Sequence, residues 1–196
     1  MILKFNSEKD NLFFSSDLHC LHKNICYGTS TWDNKEESTR KFKHPNEMTN
    51  HIIDNINNTV RIEDHLFLLG DLLFNFKGVD VYTKILNRIN CNNIYLLFGN
   101  HDNKANLQEA AYSSTKKIIV SDYLEIEVDK ILICMLHYPM EEWNDRHGRS
   151  IHLFGHVHSR LPHGNRRIDV GIDNYFKLFG EYKPFSWKEI TKLLDL

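Results

Sequence analysis

Short apolar runs bounded by polar or turn-forming residues recur along the chain: LFF at 12–14, HLFLL at 65–69, NIYLL at 93–97, ILICML at 131–136 and IHLF at 151–154. Runs of this length predict strands buried on both faces. Between and before them the spacing changes. Val81, Ile85, Leu86 and Ile89 in VDVYTKILNRIN, and Met48, Ile52, Ile53 and Ile56 in NEMTNHIIDNINN, fall at helical spacing and predict amphipathic helices. Strand and helix therefore alternate in a βαβ layout, which places the chain in the α/β class. Farther on, YLEIEV at 123–128 alternates apolar and polar residues and meets ILICML across Asp129-Lys130, the pattern of a hairpin with a two-residue turn. RIDVGI at 167–172 alternates again, so the second half reads as richer in strands. Ser186 and Glu189 stand at capping-box spacing ahead of Ile190, Leu193 and Leu194, predicting a terminal helix. There is no internal repeat or low-complexity tract, and the polar stretch at 26–43 reads as a functional surface loop.

Composition narrows the class without changing the pattern. With 196 residues, 41% hydrophobic and 26% charged, the chain suits one globular domain over 1–196 and is neither disordered nor fibrous. MILKFNSEKD lacks a basic start followed by a long apolar stretch, and ILICML is too short to span a bilayer, so a cytoplasmic protein with no membrane partner is expected. Cys20, Cys26, Cys91 and Cys134 show no CxxC pairing and read as reduced thiols. A net charge of −2 exerts no general pull on nucleic acid, and no stable nucleic-acid partner is expected. The 12 histidines do change the picture, because many stand beside Asp, Asn or Gly at the ends of apolar runs.

LFF leads to Asp17 and His19, HLFLL to Gly70-Asp71, NIYLL to Asn100, His101 and Asp102, ILICML to His137, and IHLF to His156 and His158. Each alone reads as a turn or a surface pair. Together they place metal-binding groups beyond the carboxyl ends of strands, where α/β architectures bind ligands. The ordered set DLH at 17–19, GD at 70–71, GNHD at 99–102, His137 and GHVH at 155–158 resembles the calcineurin-like metallophosphoesterase family across most of the chain. In particular, SDLHCLHKNI, LHYPMEEW and DVGID resemble blocks of its small, single-domain prokaryotic and phage members. The resemblance implies a four-layer fold, a two-sheet β-sandwich flanked by helices, with a site for two divalent ions. By motif, Asp17, His19 and His158 would hold one ion, Asn100, His137 and His156 the other, and Asp71 would bridge them. His101 would be catalytic and not a ligand.

The chemistry agrees with that implication. Asp, His and Asn suit manganese first, and also iron, nickel or zinc, and a bridging carboxylate holds two ions roughly 3.5–4 Å apart. In an extended segment the DxH and HxH residues project to one side. Two divalent ions against two aspartates leave net positive charge, for which a phosphate ester is a natural guest. Such ions make hydroxide available near neutral pH for in-line attack on phosphorus. His101 then protonates the leaving oxygen or donates a hydrogen bond to the phosphate.

Other residues carry two readings each. His22 faces substrate or solvates a loop, and Arg160, Arg166 and Arg167, with His163, grip a phosphate or nucleotide or form a solvated basic loop. Asp102 orients His101 or caps the following helix, the cap being favoured by the N-cap preference of Asp. Asp169 and Asp173 match a block read as structural support through hydrogen bonds to ligand histidines. Cys20 reads as a packed thiol, and Trp143, Phe185 and Trp187 as core. Asp71 is followed by LLFNF, not by the VDRG of the protein Ser/Thr phosphatases, so the expected substrate is a small phosphomonoester or phosphodiester, nucleotide-like or cyclic. Two alternatives remain: a catalytically weak, metal-bearing scaffold, against which the retained His101 counts, and a nuclease, against which the mild negative charge counts.

Overall fold

The computed structural model describes residues 2–27, 40–164 and 166–196. In chain order its strands are β1 (Leu3–Phe5), β2 (Leu12–Ser15), β3 (His65–Leu68), β4 (Asn93–Leu97), β5 (Lys117–Ser121), β6 (Tyr123–Val128), β7 (Ile131–Leu136), β8 (Ile151–Phe154), β9 (Arg167–Asp169) and β10 (Phe185–Ser186). The described helices are α1 (Lys23–Tyr27), α2 (Pro45–Thr59), α3 (Val79–Arg88), α4 (Lys104–Tyr112), α5 (Ile172–Phe179) and α6 (Trp187–Leu193). The strands form two five-stranded mixed sheets, ordered β10-β2-β3-β4-β5 and β1-β6-β7-β8-β9. β2 to β5 are mutually parallel, as are β7 to β9, while β10 and the β6–β7 hairpin supply the antiparallel pairs.

All five apolar runs are strands, and the two segments with helical spacing are α2 and α3. Alternate residues of the runs enter different cores. Leu66, Leu68, Ile94 and Leu96 pack with Met48, Ile52 and Ile56 of α2 and Ile85 and Leu86 of α3. Leu12, Phe14, Phe67, Leu69, Tyr95 and Leu97 share a second cluster with Ile126, Val128, Ile133, Met135, Ile151, Leu153 and Ile168 of the other sheet. Burial on both faces is why these strands read as unbroken apolar runs. Phe185 and Trp187 belong to the second cluster and Trp143 is also buried.

The β6–β7 turn has Asp129 at φ 50° and Lys130 at φ 71°, the doubly left-handed geometry of a tight hairpin. Ser186 and Glu189 form the capping box of α6. RIDVGI differs from its reading as one strand. Only Arg167–Asp169 pair with β8; Gly171 then bridges to Ser16 at the end of β2, and Ile172 opens α5. The chain thus leaves one sheet and touches the other beside Asp17. All four cysteines are buried free thiols. Among the described residues no helix is long and apolar enough to cross a membrane. The reading of 26–43 as a surface loop falls largely on 28–39, outside the described residues; Cys26 ends in α1 and Arg40 is buried.

Candidate metal centre

The carboxyl ends of β2, β3, β4, β7 and β8 meet at one edge of the two sheets. Backbone hydrogen bonds tie the exits together: Asp17 N–H to the Gly70 carbonyl at 3.0 Å, His19 N–H to the Asp71 carbonyl at 2.9 Å, and Gly155 N–H to the His137 carbonyl at 2.9 Å. Seven predicted residues converge there. Asp17, His19 and His158 form one buried group able to hold a metal, and Asp17, Asp71 and His137 form a second. Asp71 Oδ2 lies 3.5 Å from His19 Nε2 and 3.5 Å from His137 Nε2. Asn100 Oδ1 lies 3.1 Å from His137 Nε2 and 2.9 Å from His156 Nδ1.

The way the motifs converge corrects the extended-segment reading of DxH and HxH. Asp17, His19, Asp71, His156 and His158 have φ of 58°, 46°, 53°, 68° and 46°, all in the left-handed region. Side chains two apart meet because the backbone curls at each of them. Such conformations cost of order 1–3 kcal/mol each and persist only when the surroundings hold them. Close approach is also required: a Cβ at Gly99 would fall on the Asp71 carboxylate, and one at Gly155 on Ser16 and the Asp17 carboxylate.

The polar groups are those expected around a cation. Asp17 Oδ1 and both ring nitrogens of His19 are buried with no hydrogen-bond partner, and a buried polar group left so costs about 1–3 kcal/mol. His137 Nδ1 donates to the Leu69 carbonyl at 2.7 Å, which turns Nε2 toward the oxygens of Asp71 and Asn100. A neutral ring would set acceptor against acceptor there, so a proton or a metal ion belongs between them. Burial opposes a charge on His137, but the Asp71 hydrogen bond and the Asp17 and Asp71 carboxylates outweigh it and push its pKa up to about 9. Burial, and next His158, holds His19 well below its ordinary value, keeping it in the form that binds metal. For Asp71 burial acts upward, but His137 outweighs it and the carboxyl stays low.

His101 borders the same centre. Its N–H donates to Asp71 Oδ1 at 2.9 Å, and its ring lies 4.3 Å from that of Phe74 and 5.5 Å from that of His19. A cavity of about 400 Å³ beside it is lined by Asn75, Phe76, Lys77, Asp102 and Asn103. Asp102 follows neither of its readings. Asn103 caps α4, accepting from Asn106 N–H, while Asp102 accepts from the backbone N–H groups of Asp71 at 2.8 Å, Leu72 at 3.1 Å and Gly99 at 3.0 Å. A buried carboxylate among several N–H donors clamps the β3 and β4 exits together, and burial, with Asp71 next, raises its pKa to about 6.

His22 is buried and stacks on Phe74 at 3.6 Å, with its ring 5.3 Å from that of His19. Arg166 donates to the carbonyls of Ser150 and Arg149, Arg167 to that of Met140, and Arg160 to that of Val157. His163 is exposed. Asp169 accepts from Ser159 and Gly171 N–H groups, and Asp173 accepts from His158 Nδ1 at 2.6 Å. Sequence reasoning missed Tyr138, whose ring lies 4.7 Å from that of His156. It also missed Arg40, a lone arginine in a polar stretch bonded to Asp173, 133 positions away. Tyr138 was signalled by its place next to His137; Arg40 carried no signal.

Neither a family model nor a curated protein matches the chain in sequence. Among solved structures, a protein of unknown function from Aquifex aeolicus is 24% identical with a TM-score of 0.64, covering 95% of this chain and 100% of its own. A novel archaeal phosphodiesterase is 20% identical with a TM-score of 0.51, covering 87% of this chain and 88% of its own. Both are likenesses of fold.

Proposed function

We propose that the chain is a single-domain, metal-dependent phosphoesterase of the calcineurin-like kind, a four-layer β-sandwich flanked by helices, that hydrolyses a small phosphomonoester or phosphodiester of nucleotide-like or cyclic type. The observation that carries this reading is Asp71, whose Oδ2 is shared at 3.5 Å between His19 and His137. Asp17, His19 and His158 hold one divalent ion, and Asn100, His137 and His156 the other. The core cluster common to both sheets supports the sandwich, and the fold likeness to an archaeal phosphodiesterase supports the reaction class.

Bound divalent ions, manganese first, supply Lewis acidity that acidifies water and neutralises phosphoryl charge. The chain's own residues do the rest. Asp71 and Asn100 orient the histidines they face. His101, fixed by its N–H bond to Asp71 and its packing on Phe74, delivers a proton to the leaving oxygen or a hydrogen bond to the phosphate. The cavity beside it receives the leaving group.

The test combines metal analysis with hydrolysis of p-nitrophenyl phosphate and its bis ester in added manganese. Hydrolysis of at least one is expected. His101→Gln should lower it by about 10²- to 10⁴-fold while metal content stays near that of the unaltered protein. Loss of metal in that variant would make His101 a ligand, and inactivity of the metal-loaded parent would favour the scaffold reading.

A further inference from the structure

Arg40 is 1% exposed and among the largest fully buried side chains. Its Nε donates to Asp173 Oδ1 at 2.7 Å and its Nη2 to Asp173 Oδ2 at 2.8 Å. Its Nη1 donates to the Leu18 carbonyl at 2.6 Å, and Nη2 also to the Asp17 carbonyl at 2.5 Å. On its far side, Asp173 Oδ2 takes a hydrogen bond from His158 Nδ1 at 2.6 Å, while His158 Nε2 faces Asp17 Oδ1 at 3.7 Å. One guanidinium therefore grips the backbone linking Asp17 to His19 and, through a carboxylate, the ring of His158. Those are the three members of one donor group.

Stability does not call for this arrangement, since apolar residues of similar volume commonly replace a buried ion pair at no loss. A planar fork that meets one carboxylate and two carbonyls is instead a device for fixing geometry. Among the described residues the other donor group has no such fork: His137 Nδ1 meets a backbone carbonyl and His156 Nδ1 faces Asn100.

We propose that Arg40 is a positioning residue that, through Asp173 and the carbonyls of Asp17 and Leu18, fixes the tautomer and orientation of His158, so that Asp17, His19 and His158 bind a divalent cation more tightly than Asn100, His137 and His156 do. For the cations this deepens the phosphoesterase reading and rests on it; for the tautomer it stands alone.

Manganese titration followed by electron paramagnetic resonance tests it in the full chain. The parent should show a tight and a weak class. Arg40→Met and Arg40→Lys should weaken the tight class about 10- to 100-fold and leave the weak class unchanged. Combining Arg40→Met with Asp173→Leu removes both buried charges, so the fold should recover, checked by circular dichroism, while tight binding should not. Unchanged binding in the folded double variant, or weakening of the weak class, overturns the proposal. If the parent binds no manganese, the phosphoesterase reading fails separately. Nitrogen NMR without added metal, at a pH high enough for the His158 ring to be neutral, then decides: the parent should hold one tautomer of His158, protonated at Nδ1, and the double variant a mixture. An unchanged tautomer overturns the inference.

Discussion

On one side of Asp71, Asp17, His19 and His158 are all buried; Arg40 holds the carbonyls of Asp17 and Leu18, and Asp173 holds the His158 ring. On the other, His137 is buried, but His156 is partly open and Asn100 is exposed, with Tyr138, itself 43% exposed, lying against His156. The residue types are nearly the same, and the surroundings differ. Charges in a dry interior interact more strongly than charges at a wet rim, so in the proposed phosphoesterase the first group would keep a resident cation and the second an exchangeable one that meets substrate. Nearly equal chemistry set at unequal depth would then separate holding from reacting.

The shared carboxylate is the widest way to break this contrast. Asp71→Asn should abolish both sides together and lower phosphoester hydrolysis by roughly 10³-fold or more, because several kcal/mol of metal-derived stabilisation go with it. Calorimetric titration with manganese would show whether one class survives. If it does, Asp71 does not join the groups.

Depth itself is probed by a paired removal. His19→Asn should cost at least about 100-fold in manganese affinity, beyond the usual effect of an outer partner, and excess manganese should not restore turnover. His156→Asn should be restored by raising manganese, since only the open side is affected. Equal rescue of both variants would erase the distinction.

Acid must be kept separate from metal loss. His152 is buried and neutral, donating from Nδ1 to the Cys134 carbonyl at 3.0 Å and accepting Met140 N–H at Nε2 at 3.0 Å. Burial is the main cause that lowers its pKa from 6.5 to about 4. A depressed folded pKa means that the unfolded chain takes the proton first. The stability is therefore complete above about 6.5 and declines as pH falls toward about 4. Between about pH 7 and pH 5 this amounts to about 2 kcal/mol. His152→Gln should flatten that limb in urea titrations while leaving the manganese classes in their order.

The strands that matter were legible because each is covered on both faces, so its apolar run is unbroken. Their exits were legible because the ligand types stand directly after the runs. β1, interrupted by exposed Lys4, and β5, whose Ile118-Ile119-Val120 is as long as LFF, were not read; both lie at sheet edges, where residues stay partly open to solvent. α5 was hidden in RIDVGI because Ile172 serves as the end of one pattern and the start of another. The curled backbone at Asp17 and His158 and the long-range partner of Arg40 depend on tertiary contacts that no local spacing encodes.

The left-handed backbone at Asp17, His19, Asp71, His156 and His158 sets ligand placement against folding at each of those positions. Glycine would adopt these angles without strain, so the folded chain carries conformational strain at these five positions. Because that strain is met during folding, a cation drawing on these side chains would not have to meet it again on binding. Loss of the side chains would leave a more relaxed protein with nothing to hold.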